Sequence, residues 1–133
     1  MKRGIAKILL DVRRGDGPPA ARTWTFPALI TTERLVQEQP DIAAAAVRAI
    51  VKTQRALRAA PQLAAQAAQR LFPAEEASLI AFEVARDVEF YDATVTEEML
   101  AHASRFAREM GVLEGEVRYG ELVATQFAPL WRG

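Results

Sequence analysis

Few side chains in this 133-residue chain have the type and spacing that chemistry requires. The sole histidine, His102, has Glu98 four residues before it and Arg105 three after, so all three fall on one side of a helix. Such a pair can fill two corners of a coordination shell, but zinc needs at least three protein ligands and no third is indicated. A solvated histidine on a charged face is the favoured reading. Both serines, Ser78 and Ser104, fall inside helical patterns and lack the strand-turn-helix elbow that presents a nucleophile. Glu75-Glu76 and Glu97-Glu98 stand at helix starts, where the dipole alone favours acids. With no cysteine, thiolate nucleophiles, thiolate metal sites and disulfides are excluded. Neither catalysis, a metal nor a cofactor is expected.

Binding is better represented. Arg13 and Arg14 precede the turn Gly15-Asp16-Gly17-Pro18-Pro19, where a guanidinium can grip a sulfonate, carboxylate or phosphate with two parallel hydrogen bonds. Solvated turn arginines are the competing and favoured reading. Trp24 and Thr25, with Phe26, can line a cleft by stacking and hydroxyl donation, although core burial is the commoner use of Trp24 and Phe26. The row Arg48, Lys52, Arg55 and Arg58 follows helical spacing, and such rows ordinarily face water. Gly15-x-Gly17 is no phosphate loop, because no helix start follows it to supply converging amides. The Arg14-Gly15-Asp16 tripeptide is a chance-level match in an arginine-rich chain.

Two alternating segments are expected to position these residues as strands. Ile5 to Val12 places Ala6, Ile8, Leu10 and Val12 on one face, and Trp24 to Thr31 places Trp24, Phe26, Ala28 and Ile30 on one. Pro27 lacks an amide hydrogen, which confines the second strand to an edge or a crossing between sheets. Five to six helices follow. Thr31 or Thr32 caps a short one, and Pro40-Asp41 starts a long one through Ala59 with Ala43, Ala46, Val47, Ile50 and Leu57 on one stripe. Pro61 opens a third ending near Leu71, and Pro73 a fourth that buries Leu79, Ile80, Phe82 and Val84. Thr96 caps a fifth carrying Met99, Ala103, Phe106, Ala107 and Met110, which Gly111 stops. The tail, Tyr119 to Trp131, reads as one more short helix anchored by Leu122, Val123, Phe127 and Trp131. The fold class expected is α/β, predominantly helical, with two strands.

Composition bounds the partners. The 17 basic and 17 acidic residues cancel, so no overall field draws the chain to nucleic acid. Residues 1 to 66 hold 11 Lys/Arg against 5 Asp/Glu and residues 67 to 133 hold 6 against 12, giving halves of +6 and −6. Opposite halves can pack together or pair head to tail between copies. No run approaches the ~20 apolar residues of a membrane-spanning helix, so no membrane insertion is expected. The start, Met1-Lys2-Arg3 with Ile5 to Leu10, is interrupted by Lys7 and does not form an export signal, which points to the cytoplasm for the chain as given.

Short motifs in order add a resemblance. Ile8-Leu9-Leu10-Asp11-Val12-Arg13-Arg14-Gly15-Asp16-Gly17-Pro18, Thr25-Phe26-Pro27-Ala28-Leu29-Ile30-Thr31-Thr32, Pro40 and Ala46-Val47-Arg48-Ala49-Ile50 come first. Leu71-Phe72-Pro73, Phe90-Tyr91-Asp92, Phe106-Ala107, Gly111-Val112-Leu113, Tyr119 and Phe127 to Trp131 follow. Together they resemble the C-terminal part of ABC-transporter substrate-binding proteins of the nitrate/sulfonate/taurine and thiamine-precursor group. The resemblance implies a type II periplasmic-binding-protein fold of two α/β lobes, a small-molecule ligand, an ABC permease as partner and a periplasmic location. Residues 1–22 would end the second lobe, and 23–133 would supply the hinge strand and first-lobe helices. It departs from that pattern in lacking the N-terminal half and the export signal. Some relatives in the thiamine branch are enzymes of pyrimidine synthesis, but no catalytic signature here matches them. A different class of function is a truncated protein that completes its sheet by pairing with a second copy as a homo-oligomer.

Overall fold

The computed structural model of the chain describes residues 7–19, 23 and 28–132. Among these residues the secondary structure is wholly helical. In chain order there are a 3-10 turn at Val12–Arg14, then α1 (Glu33–Glu38), α2 (Pro40–Ala59), α3 (Leu63–Leu71) and α4 (Ala74–Asp87). A 3-10 turn at Val88–Phe90 leads to α5 (Glu97–Glu109), α6 (Tyr119–Leu122) and a closing 3-10 segment, Thr125–Trp131.

The expected α/β class is therefore corrected. No strand occurs among the described residues: 7–11 and 28–31 are irregular, and Val12 already belongs to the 3-10 turn. Residues 5 and 6 of the first expected strand and 24–27 of the second lie outside the described residues. Alternation of apolar residues states which face a strand would bury, yet a strand also needs a neighbour for its amides and carbonyls. Among the described residues neither piece is paired with another strand. Leu9 and Ile30, instead of filling a sheet face, are exposed.

Local signals set the helices more reliably, because caps act within a few residues. Thr32 is extended and its Oγ1 accepts from the Leu35 amide at 3.2 Å, starting α1. Pro40 sits in the first turn of α2, where its missing N–H costs nothing, and Asp41 favours the same end. Thr96 caps α5 by accepting from the Met99 amide at 3.2 Å. Gly111 ends that helix at φ +70°, with the Val112 amide returning to the Ala107 carbonyl at 2.8 Å. The tail divides into α6 and a 3-10 segment rather than one helix.

The chain forms two compact units. One combines Met1–Ala28 with Val95–Val123, and the other Leu29–Thr94 with Ala124–Gly133. In the second unit α3 packs on α4, and α2 carries both the closing 3-10 segment and α1. Its buried side chains are small: Ala43 and Val51 on α2, Ala64 and Ala68 on α3, and Ala77 on α4, joined by Phe127 from the tail. Ala68 and Ala77 are only 2% and 3% exposed, so α3 and α4 meet through alanine. Of the larger residues expected inside this unit, Leu79 is 60% exposed and Ile50 and Phe82 are also open to solvent, while Leu57, Ile80 and Val84 are half-buried; Leu71, at the end of α3, is 75% exposed. In the first unit Phe106 and Met110 of α5 are exposed, whereas Ser104 is buried. Periodicity put Ala43 in a buried stripe but left out the buried Val51, Ala77 and Ser104, and its stripes include the exposed Ile50, Leu79, Phe82, Phe106 and Met110. It did not supply the layer that would cover them.

Candidate functional site

Of the four residues expected to contact a ligand, one has a described side chain. Arg14 lies exposed at the end of the first 3-10 turn. That turn is closed by its own atoms: the Arg14 amide donates to the Asp11 carbonyl at 3.0 Å, and the Asp11 amide donates to Asp16 Oδ2 at 2.9 Å. Gly15 and Gly17 follow at φ +84° and +98°, values that a side chain resists. The backbone of Arg13 belongs to the same turn, but its side chain, Trp24 and Thr25 lie outside the described residues.

His102 has a partner that the sequence did not suggest. Its Nδ1 is hydrogen-bonded to Thr23 Oγ1, 79 positions earlier, in a half-buried setting, which ties the N-terminal part of this unit to α5. This replaces the solvated histidine expected from the charged helix face. Among the described residues no three His, Asp or Glu side chains come together to hold a metal.

Two concave places belong to the α2–α4 unit. The larger is an open groove of about 420 Å³ lined by Leu57 of α2, Leu63 and Leu71 of α3, Phe72, and Ile80 of α4, with alanines between them. Its wall is almost wholly apolar, with Lys52 and Thr53 contributing polar ends at one side. Such a surface excludes water from an apolar partner and offers no means of polarising a bond.

The smaller recess, about 170 Å³, lies between the second half of α2, the Tyr91–Ala93 segment and Trp131. Arg58 Nη2 donates to the Tyr91 carbonyl 33 positions on, fixing that segment to α2. Asp92 Oδ1 accepts the Thr94 amide at 2.8 Å. This bond and a second from the Thr94 side chain hold the Asp92 carboxyl below its ordinary range, opposed by partial burial and assisted by the positive charge of Arg58. Arg55 and Gln54 complete the polar wall, and Val51 adds an apolar side chain to the lining. The basic row Arg48, Lys52, Arg55 and Arg58 was visible in the sequence as a solvated stripe; that Arg55 and Arg58 line a recess with Tyr91, Asp92 and Trp131 was not, because only the fold brings those positions together.

No family model, curated protein or solved structure matches the chain. No helix among the described residues is long and apolar enough to cross a membrane.

Proposed function

We propose that this chain is part of a solute-binding protein of an ABC importer, taking a small organic or anionic solute to a permease without chemical change. The ordered run of motifs from Ile8 to Trp131 carries the reading. Several of those motifs sit where a helical layer would use them. Pro40 opens α2, Leu71-Phe72-Pro73 turns α3 into α4, and Phe127 anchors the tail beside α2. The groove over α2, α3 and α4 supports it further, since helices that bury only small residues and expose Leu71 and Leu79 are in want of another layer. In this role the chain contributes helices, and the strands of the expected α/β class are not part of it.

A second reading is favoured by the same groove: self-association, in which a copy of the chain covers the apolar face helix against helix. Sheet completion, the form of self-association expected from the sequence, has no strand among the described residues to act through.

The mass of the endogenous protein separates the two. An antibody raised against this chain should detect a band roughly twice 14.7 kDa or more if two lobes belong to the protein. That protein should then show a saturable thermal shift with members of a panel of alkanesulfonates, carboxylates and pyrimidines. A band near 14.7 kDa that light scattering resolves as a dimer would overturn solute binding in favour of self-association.

A further inference from the structure

We propose that the recess formed by Arg55, Arg58, Asp92 and Trp131 binds a small monoanion through a carboxylate or sulfonate head, independently of the importer reading. Arg55 and Arg58 are three residues apart on α2, so their guanidinium groups share a face and repel one another unless each is compensated. Arg58 is compensated twice, by its hydrogen bond to the Tyr91 carbonyl and by the neighbouring Asp92 charge. Arg55 has no hydrogen-bond or ion-pair partner among the described residues. It presents a planar set of donors to the same recess, beside the Gln54 side chain and Trp131.

Charge and size then narrow the ligand. Two arginines and one aspartate leave one positive charge, which a single negative charge balances; a dianion would meet the Asp92 carboxylate. A volume of about 170 Å³ is below that of ordinary drug-sized sites, which begin at roughly 300 Å³, and suits a head group with one or two carbons attached. Ordinary arginine rows on a helix lack these features. Here one arginine is held in place by backbone, and aliphatic and aromatic side chains, Val51 and Trp131, wall the recess around the other.

The test is a titration of the ¹⁵N-labelled chain with sodium acetate and, separately, sodium methanesulfonate at constant ionic strength, with sodium chloride as the control. The Trp131 indole and the Ala93 amide should shift saturably with both anions and not with chloride. Arg55→Gln removes an exposed side chain and leaves the rest of the spectrum in place, but should weaken binding roughly tenfold, as expected for a charge-assisted hydrogen bond. Asp92→Asn should strengthen binding of sulfate relative to acetate. Shifts that rise linearly without saturating, that chloride reproduces, or that Arg55→Gln leaves unchanged would each overturn the site.

Discussion

The Tyr119 hydroxyl donates to the Val95 carbonyl across 24 positions, joining the start of α6 to the residue that precedes the Thr96 cap of α5. The bond is half-buried, so water replaces it imperfectly when it is lost. Tyr119→Phe keeps the ring and removes the donor. It should lower stability by about 0.5–1.5 kcal/mol, read from the midpoint of chemical denaturation.

Thr96 works on the same helix from the other side of that carbonyl. Its Oγ1 satisfies the Met99 amide, one of the orphan donors of α5, while the return contact from the Thr96 amide reaches only the Met99 sulfur at 3.5 Å. Nearly all the capping therefore depends on the hydroxyl. Thr96→Ala should cost about 1 kcal/mol and Thr96→Ser much less, with the loss of helical circular dichroism on warming occurring earlier in the alanine variant.

The α3–α4 contact depends on small residues. Ala68 and Ala77 are almost fully buried, and a larger side chain at either position must push the helices apart. Ala68→Leu should destabilise by about 1–3 kcal/mol in spite of its greater hydrophobicity. Thermal unfolding monitored by circular dichroism reads the difference.

Leu71 and Leu79 are expected to behave in the opposite way. Being exposed, they contribute little to the unit's own stability, so Leu71→Lys and Leu79→Lys should change it by no more than about 0.5 kcal/mol. If copies of the chain meet through the groove that Leu71 lines, Leu71→Lys should shift sedimentation equilibrium towards the monomer. Unchanged association would place the contact elsewhere.

Asp92 supplies a pH dependence whose sign follows from its environment. The Thr94 amide and hydroxyl and the Arg58 charge lower its folded-state pKa beneath the ordinary aspartate value of 3.8, so the unfolded chain takes up the proton first as pH falls. The associated stability is complete above the unfolded value and is lost as pH drops through the folded one. The gap in stability between the natural chain and Asp92→Asn should thus be largest near neutrality and narrow below pH 3.8. Denaturation midpoints of the two proteins at pH 7, 4 and 2.5 would measure it.

Helix ends were legible in the sequence because their causes are local. Thr32, Pro40, Pro73, Thr96 and Gly111 each act on amides or carbonyls within a few positions, and α1, α2, α4 and α5 begin or end beside them. The third helix began two residues after Pro61 rather than at it, a difference confined to one turn. The alternation at Ile8 to Val12 and at Ala28 to Thr31 was equally plain, but alternation is a condition for a strand and supplies no hydrogen-bonding neighbour.

The amino-acid order by itself determined where helices start and stop, which stripes are apolar, and the absence of thiol chemistry. Tertiary structure alone decided which distant groups meet: Thr23 with His102, Arg58 with the Tyr91 carbonyl, and Tyr119 with the Val95 carbonyl. It also decided that alanines rather than the larger apolar residues fill the α3–α4 contact. The division has a physical reason. A cap or a proline acts through bonds a few residues long, whereas burial and long-range pairing depend on the surface that another element presents, and no single segment encodes that surface.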